Sequence, residues 1–371
     1  MNPEERSGII QRAAQTLRDN QCLVMPTDTL YGLFTRASET GITLLDEITG
    51  NPDVTDQPRM TLHLADLDPI MEHLVLDTPT ARRLVDRLLP GPTRLILEQP
   101  DEALDIIASV LSIPRNRIDD GTQIALRIPD HPTCRQVLRS AGVACVARRI
   151  GAASWAINDN PGTDLSPIPT SFNESQSHTQ PALILDDGPT HHQHNSTTVH
   201  IALDGRISVS NEGILSERDV LKHLERTILF VCTGNTCRSP MAKAIAQHQL
   251  AQQEPTAITT HITSAGIAAA PGMPATDQAT EVLRSMDIEL SDHHSQPLTL
   301  DMIGQAELIY TMTPSHAQAV MTMAPNAVHK VFVLDEHESI PDPIGQSTEV
   351  YKHTADRLSD LIARRLTEIQ I

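Results

Sequence analysis

The chain has 371 residues and a formal net charge of −19 at pH 7, from 47 acidic and 28 basic side chains. A chain of this length exceeds one ordinary hydrophobic core and suits two domains. Because sequence-independent nucleic-acid binding relies on Lys and Arg to neutralise phosphates, the charge argues against binding of tRNA or double-stranded RNA.

Membrane insertion and secretion are also disfavoured by the sequence. Hydrophobic residues make up 39% of the chain, but no apolar run reaches the roughly 18 residues that a membrane span needs. The first residues, MNPEERSGIIQRAAQ, are acidic and polar where a secretory signal is basic and then apolar. We therefore expect a cytoplasmic protein with no membrane partner.

The number and spacing of the cysteines argue against a disulfide-stabilised protein and against a zinc-finger or C-x-x-C redox protein. Five cysteines are too few and too scattered for a disulfide framework. The spacing between Cys232 and Cys237 fits neither a zinc finger nor a redox C-x-x-C motif. No structural metal is expected.

A change of pattern near residues 213–231 separates a first domain, residues 1–215, from a second, residues 227–371. Within it, Ser216 is predicted to cap a short helix that reaches about Arg226, and the apolar ILFV then begins a buried strand. Inside the first domain, residues 160–181 are rich in Pro, Ser, Thr and Asn and predict a mobile excursion.

The second domain reads as alternating strands and helices. Strands are predicted at Thr227–Val231, Ala257–Ser264, Ala306–Thr311 and Val328–Leu334, and helices at Ser239–Gln252, Ala275–Met286, Pro314–Met323 and Thr348–Ile369. That order predicts an α/β fold, with a doubly wound parallel sheet and helices on both faces. Ligands of such sheets bind beyond the carboxyl ends of the strands.

The segment CTGNTCRSP, residues 232–240, follows the first of those strands. A Cys followed six positions later by Arg, between a strand and a helix, suits a loop whose backbone N–H groups surround an anion at a helix N-terminus. We expect Cys232 to be a thiolate there and Arg238 to hold two phosphoryl oxygens with its planar fork. The predicted anion-binding loop comprises Thr233, Gly234, Asn235, Thr236, Cys237 and Ser239.

Individual loop residues have separate predicted tasks. Gly234 is expected to supply the tight turn, and Asn235 to pin the loop through its side-chain amide. The Ser239 hydroxyl is placed to hydrogen-bond the thiolate, and Pro240 suits the first turn of the helix. The competing interpretation is a buried cysteine beside an ordinary helix cap, which leaves this combination of residues unexplained.

CTGNTCRSPMA resembles the low-molecular-weight protein-tyrosine phosphatase family. The blocks SAGIAAAPGMPA (264–275), DHHS (292–295) and IPDPIG (340–345) extend the resemblance through the whole second domain. It implies that Cys232 is the nucleophile, Arg238 the phosphate binder, Ser239 the thiolate stabiliser and Asp342 the general acid. It also implies a phosphorylated protein as substrate and a phosphocysteine intermediate without a cofactor.

The phosphorylated residue is less clearly indicated. Tyrosine phosphatases of this family usually carry an aliphatic residue where Thr236 stands and aromatics just after the catalytic Asp-Pro, where this chain has Ile344. Thr236 resembles the protein-arginine phosphatase branch, although Ile344 departs from that branch too. We prefer phosphoarginine over phosphotyrosine.

Two other thiol chemistries concern the cysteines of this segment. Arsenate reduction on this fold needs further cysteines to relay a disulfide, and none follows Cys237. Cys237 itself either traps Cys232 as a reversible disulfide or simply packs beneath the loop. The sequence leaves these two roles of Cys237 open.

Residues 1 to about 215 resemble the YrdC-type threonylcarbamoyl-adenylate synthases, which join threonine, bicarbonate and ATP in tRNA modification. The matching segments, in order, are PTDTLYGL (26–33), PGPTRLIL (90–97), ALRIPDHP (125–132) and STTV (196–199). The resemblance implies an α/β domain with a central cleft. The candidate cleft residues are Thr27, Thr29, Arg59, Arg127 and Ser196.

The active-site segments of that family are altered. Its Lys-x-Arg-Pro segment aligns with TGNP (49–52), and its Ser-x-Ser-Ala-Asn segment aligns near CVARR (145–149). Since the first lysine of the chain is Lys222, none in this domain can bind ATP phosphates. We therefore expect the fold without the synthase activity, and the cluster His191, His192 and His194 to be a polar loop. The alternative is an active threonylcarbamoyl-AMP synthase carrying an accessory phosphatase.

Overall fold

A computed structural model describes residues 3–49, 60–118, 121–149, 180–253 and 257–369. The chain divides into two compact units, Met1–His223 and Leu224–Ile371. The predicted excursion at 160–181 falls almost entirely outside the described residues. Among the residues that are described, no helix is both long and apolar enough to cross a lipid bilayer.

The first unit is a mixed α/β domain. Its helices are α1 (Pro3–Arg18), α2 (Glu39–Thr49), α3 (Pro79–Leu88), α4 (Asp101–Leu111), α5 (Arg115–Ile118), α6 (Pro132–Ala141) and α7 (Glu217–Lys222), with a 3₁₀ turn at Met71–His73. Its strands are β1 (Leu23–Pro26), β2 (Tyr31–Arg36), β3 (Leu62–His63), β4 (Thr93–Glu98), β5 (Gln123–Arg127), β6 (Cys145–Arg149), β7 (Leu183–Ile184), β8 (Thr197–Ile201) and β9 (Ile207–Asn211).

These strands form one sheet in the order β7-β1-β2-β6-β3-β5-β4-β8-β9. Helices α1 and α6 pack together over β1 and β2, around buried side chains such as Leu17, Phe34 and Val137. Helix α6 has Pro132 in its first turn and ends at Gly142, whose φ of 62° is the left-handed conformation that glycine adopts without strain. Local sequence signals therefore set both ends of this core helix.

The second unit is a doubly wound parallel sheet, as predicted. Its strands are β10 (Glu225–Cys232), β11 (Thr259–Gly266), β12 (Leu308–Thr311) and β13 (Val331–Val333). Its helices are α8 (Arg238–Ala251), α9 (Asp277–Arg284), α10 (Leu300–Gln305), α11 (Pro314–Met323) and α12 (Thr348–Glu368), with a 3₁₀ helix at Pro325–Lys330. The order is β11-β10-β12-β13, and every neighbouring pair is parallel.

Both faces of this sheet are buried. Along β10, Ile228 and Phe230 pack in one hydrophobic cluster with residues of α8, α9 and α12. Leu229 and Val231 face the opposite cluster, which contains residues of α10 and α11. Because successive side chains of a strand point to opposite faces, an uninterrupted apolar run is what a strand between two helix layers requires.

Two predicted boundaries were wrong. The helix capped by Ser216 ends at Lys222 instead of about Arg226, because Glu225 and Arg226 already pair with Thr259 and Thr260 of β11. The capping box of Ser216 and Asp219 is present. The last strand begins at Val331 instead of Val328, since Pro325 starts a 3₁₀ helix that runs to Lys330.

Candidate active site

The loop between β10 and α8 lies at the carboxyl end of the central part of the sheet. Strand β10 ends at Cys232, which is buried, and α8 begins at Arg238. Backbone hydrogen bonds tie the loop to the chain that follows β11: the carbonyls of Cys232 and Thr233 accept from the N–H groups of Ile267 and Ala268, each at 3.0 Å. The loop is thus fixed at both ends and along its side.

Polar groups converge on the sulfur of Cys232. The Ser239 Oγ lies 3.0 Å from Sγ, and the backbone N–H of Asn235 donates to Sγ at 3.3 Å. The sulfur thus has a hydroxyl and a backbone amide as hydrogen-bond partners. Ser239 and Asn235 therefore occupy the positions that the sequence predicted for them.

Asn235 holds the loop in place through its side-chain hydrogen bonds. Its φ of 54° lies in the left-handed region, and its side chain is fully buried. Its Nδ2 donates to Ser239 Oγ at 2.8 Å and to Ser264 Oγ at 3.0 Å, while its Oδ1 accepts from the backbone N–H of Gln296 at 2.9 Å. These bonds hold a strained backbone conformation in place.

His293 forms a further hydrogen bond to Asn235. The Nε2 of His293 donates to the backbone carbonyl of Asn235 at 2.7 Å, and burial lowers the pKa of the His293 imidazole. His293 belongs to the DHHS segment. Each polar group of Asn235 therefore has a hydrogen-bond partner among the described residues.

The prediction for Gly234 was wrong, and the glycine that the loop needs is Gly266. A Cβ on Gly234 meets only Thr236 Oγ1, at an ordinary 3.6 Å, and the left-handed residue is Asn235. A Cβ on Gly266 falls 2.5 Å from the Thr233 carbonyl oxygen and 2.9 Å from the Asn235 nitrogen. Because both are backbone atoms, only glycine lets β11 lie this close to the loop.

Arg238, which lies six residues after Cys232 in the same segment, pairs with Asp342. Arg238 is almost fully buried; its Nη1 donates to the Ile340 carbonyl at 3.0 Å and its Nη2 donates to Asp342 Oδ2. The Nε of Arg238 is buried and has no hydrogen-bond partner among the described residues. A donor buried in this way is available to an anion held by the loop.

Asp342 is the exposed member of that pair, with 41% of its side chain accessible. The backbone N–H of Ile344 donates to its Oδ1 at 3.3 Å. Pro341 and Pro343 flank it in the sequence and fix the backbone on both sides. The structure therefore places Cys232 and Arg238 at the two ends of one loop and pairs Arg238 with Asp342. These are the three residues predicted to carry the chemistry.

Thr233 and His316 form a contact that the sequence did not predict. Thr233 Oγ1 lies 2.9 Å from His316 Nε2, and Arg238 Nη2 donates to the same hydroxyl at 3.5 Å. Burial and the nearby Arg238 lower the pKa of His316 to about 4. The available signal was the Thr-Pro-Ser-His start of α11, in which Thr313 caps the helix.

Cys237 points away from the loop opening into the core. Its Sγ lies 3.4 Å from the hydroxyl of Tyr351 and 3.6 Å from Thr276 Oγ1, and Cys237 itself is buried. Burial and the contact with Cys237 raise the pKa of Tyr351 to about 12. Packing beneath the loop accounts for these contacts, and the redox role stays a prediction. Thr236 is half-buried beside it.

The predicted cleft residues of the first unit are only partly brought together. Arg127 donates to Asp28 Oδ1 at 2.9 Å, to Thr29 Oγ1 at 2.6 Å and to Thr27 Oγ1 at 3.4 Å. Among the described residues, Ser196 makes no hydrogen bond to this cluster, and its carbonyl accepts from Asn211 Nδ2 at 3.2 Å.

Arg59 lies outside the described residues. The central cleft and the polar-loop role of the three histidines near residue 191 stay predictions. Within the described ranges, no group of three or more His, Cys, Asp or Glu side chains is arranged to hold a metal ion.

Comparison with known proteins assigns both units to families. Residues 227–370 match the family described as low molecular weight phosphotyrosine protein phosphatase. Residues 15–213 match the Sua5/YciO/YrdC family, whose description is "Telomere recombination".

Three relatives resemble the second unit. A protein-arginine-phosphatase of Bacillus subtilis is 38% identical over 148 residues, covering 38% of this chain and 96% of the relative. A protein-arginine-phosphatase of Geobacillus stearothermophilus is 39% identical over 149 residues, covering 38% and 95%. A probable low molecular weight protein-tyrosine-phosphatase, EpsP, of Ralstonia nicotianae is 34% identical over 135 residues, covering 36% and 88%.

The family match and these relatives identify the second unit as a phosphatase, which is a hydrolytic enzyme. The chain belongs to the low-molecular-weight phosphatase family through its second unit and to the Sua5/YciO/YrdC family through its first.

Proposed function

We propose that the second unit hydrolyses a phosphorylated protein, with Cys232 as nucleophile, Arg238 as phosphate binder and Asp342 as general acid. The observation that carries this assignment is the meeting of three features at one loop. The sulfur accepts from Asn235 and lies beside Ser239, the Nε of Arg238 is buried without a partner, and Asp342 is exposed at the opening.

The reaction proceeds in two displacements. Cys232 Sγ attacks phosphorus, the bond from phosphorus to the leaving oxygen or nitrogen breaks, and Asp342 gives its proton to that leaving atom. Asp342 then takes a proton from water, the resulting hydroxide attacks the phosphocysteine, and the S–P bond breaks. Inorganic phosphate leaves and the thiolate is restored. The loop N–H groups and Arg238 hold the phosphoryl charge, so the scheme uses no cofactor.

The ion pair between Arg238 and Asp342 connects the proposed phosphate binder to the proposed proton donor. In the free site the guanidinium of Arg238 donates to the carboxylate of Asp342. A phosphoryl dianion competes with this carboxylate for the guanidinium. Substrate binding therefore frees Asp342 from Arg238.

Phosphoarginine is the preferred substrate in this proposal. Two of the relatives are named protein-arginine-phosphatases, and the third is named a tyrosine phosphatase. Three of the four aromatic rings of the second unit, those of Phe230, Tyr310 and Tyr351, are at most 4% exposed and cannot stack on a phenyl group. The fourth, Phe332 of β13, is 39% exposed and lies against Tyr310. The residue after the Asp342-Pro343 pair is Ile344, an aliphatic side chain that is 60% exposed.

The test is phosphate release from matched peptides that carry phosphoarginine or phosphotyrosine at one position. Cys232→Ser is the blank, and Thr236→Val replaces the loop hydroxyl by a methyl group of similar size. We expect turnover that favours phosphoarginine, disappears in Cys232→Ser and shifts towards phosphotyrosine in Thr236→Val. A phosphotyrosine preference in the wild type would reject the specificity, and equal turnover by Cys232→Ser would reject the nucleophile.

For the first unit we infer a retained fold without the synthase activity. The observation that supports this inference is the absence of any lysine before Lys222. Among the described residues, Arg127 pairs with Asp28 at 2.9 Å and Arg148 pairs with Asp46 at 2.5 Å. Because arginine and lysine differ in geometry, neither is an equivalent replacement for the missing lysine as a ligand of ATP phosphates.

The corresponding experiment uses the Cys232→Ser chain, so that the phosphatase cannot release phosphate. ATP, threonine and bicarbonate are added, and pyrophosphate is measured. We expect none above the protein-free blank. Pyrophosphate formation that requires both threonine and bicarbonate would establish the alternative, an active threonylcarbamoyl-AMP synthase.

A further inference from the structure

His316 occupies an unusual position for a buried histidine. It lies in the first turn of α11, which begins just after strand β12, and only 4% of the residue is exposed. Its ring contacts two hydroxyl groups: Nδ1 lies 2.9 Å from Thr313 Oγ1, and Nε2 lies 2.9 Å from Thr233 Oγ1. Both ring nitrogens are therefore engaged in a single orientation.

The contact with Thr233 continues into the phosphate-binding arginine. Thr233 directly follows Cys232, and its Oγ1 accepts from Arg238 Nη2 at 3.5 Å. A continuous chain of polar contacts therefore runs from Thr313 through His316 and Thr233 to Arg238. The same Nη2 donates to Asp342, so the chain ends on the pair that receives the substrate.

We propose that His316 is a positioning residue that holds the Thr233 hydroxyl and, through it, sets the orientation of the Arg238 guanidinium for a phosphoryl group. The identity of the anion rests on the proposed function above. His316 touches neither the sulfur nor the reacting atoms, and it acts only through Thr233.

The neutral ring is the form that suits this role. The charged groups that act on His316 are Arg238 and Asp342; burial and Arg238 lower the pKa of the imidazole to about 4. A neutral ring that donates from Nδ1 to Thr313 accepts the Thr233 proton at Nε2. The lone pairs of Thr233 Oγ1 then face Arg238, whose N–H groups only donate.

Protonation of His316 reverses this arrangement. Both ring nitrogens then donate, the Thr233 hydroxyl proton has to turn elsewhere, and an imidazolium faces the Arg238 guanidinium. Like charges at this site displace the arginine from the phosphate position. The proposed role therefore predicts a loss of phosphate affinity towards acid pH that depends on His316.

The experiment measures binding of inorganic phosphate by calorimetry, together with kcat and KM, in the full chain. The variants are His316→Ala, His316→Asn, Thr233→Val and the double variant His316→Ala/Thr233→Val. His353→Ala, an exposed histidine of α12, is the matched control. Circular dichroism establishes that each variant is folded.

We expect His316→Ala and Thr233→Val each to weaken phosphate binding about tenfold and to lower kcat, because small displacements of a positioning group cost up to about a hundredfold in rate. The double variant should be no worse than either single variant, and His316→Asn, which keeps a hydrogen-bonding side chain, should recover part of the loss. Between pH 6 and 4 the ratio of wild-type to His316→Ala affinity should fall towards one.

Wild-type phosphate binding in folded His316→Ala, or fully additive losses in the double variant, would overturn the proposal. If His316→Ala does not fold, Thr233→Val decides, since Thr233 lies at the surface. A different result is that the wild type and the variants show the expected order of phosphate affinities while the wild type hydrolyses neither peptide. That result would reject the proposed function and leave the positioning role of His316 intact.

Discussion

The guanidinium of Arg238 is ion-paired with the carboxylate of Asp342, a residue 104 positions later in the chain. The arginine is buried, whereas the aspartate is open to solvent. One residue of the pair therefore belongs to the interior of the site and the other to its entrance. An anion that binds Arg238 therefore has to compete with the carboxylate of Asp342 for the same guanidinium.

Replacing Asp342 by Asn should separate its proposed role as general acid from its competition with phosphate for Arg238. The kcat should fall by about 100- to 10,000-fold, because the general acid is lost. Inorganic phosphate should bind at least as tightly as to the wild type, because Arg238 no longer has a competing carboxylate. Steady-state kinetics and calorimetry measure the two quantities.

Asp335→Asn is the matched control for that variant. Asp335 also accepts from an arginine, Arg357, at 2.6 Å, but none of its contacts in the described structure is with the 232–239 loop. It should leave kcat unchanged. Weaker phosphate binding in Asp342→Asn would contradict the competition between carboxylate and phosphate.

Gly266→Ala should impair the site although residue 266 lies outside the loop. The added Cβ would sit 2.5 Å from the Thr233 carbonyl oxygen, so the loop or β11 has to move. Overpacking of this kind costs about 1–3 kcal/mol of unfolding free energy, and we expect at least a tenfold loss of kcat/KM. Gly304→Ala in α10, where a Cβ meets nothing within 4 Å, should keep full activity. Equal activities of Gly266→Ala and Gly304→Ala would refute the requirement for glycine at position 266.

Apart from Asp342, which the family resemblance supplied, the parts of the site that the sequence predicted lie together in the chain. The apolar run that ends at Cys232 and the Asn, Arg and Ser that follow it specify a strand, a loop and a helix start within one segment. Gly266 and His316 could not be found in this way. They reach the loop only because β11 and β12 pair on either side of β10, and that pairing is a property of the whole sheet.

The polar start of strand β10 could not be predicted from the sequence, for a related reason. Glu225 and Arg226 read as the end of a helix, because no local pattern distinguishes them from the residues before. They are in β10 because β11 offers them partners at Thr259 and Thr260. In the first unit, likewise, Thr27 and Thr29 were recognised in a motif, but their contact with Arg127 depends on a strand that comes a hundred residues later.

Arg127→Met should strongly destabilise the first unit. It would leave Asp28, which is 2% exposed, as an unpaired buried carboxylate, and breaking a buried pair from one side costs about 3–5 kcal/mol. The double variant Asp28→Asn/Arg127→Met should recover most of that loss, because no buried charge remains. Urea unfolding of the three proteins measures the effect, and a double variant as unstable as Arg127→Met would exclude the charge as its cause.

His63 should make the first unit less stable in mild acid. It is buried on strand β3, with its ring 5.1 Å from that of Phe34, and burial together with Arg127 lowers its pKa from 6.5 to about 3. Above pH 6.5 the ring is neutral in both the folded and the unfolded chain, so it contributes nothing to the pH dependence. Below pH 6.5 the unfolded chain binds a proton that the folded chain refuses, so stability falls progressively down to about pH 3.

His63→Gln tests that assignment, because the amide keeps a donor for the Thr61 carbonyl but does not titrate. Melting temperatures of the full chain at pH 7 and pH 5 give the readout. The decrease between the two should be smaller in His63→Gln than in the wild type, whereas His353→Gln, at the surface of the second unit, should match the wild type. An undiminished decrease in His63→Gln would mean that other histidines, such as the half-buried His131 or His223, whose pKa values burial also lowers, cause the acid sensitivity.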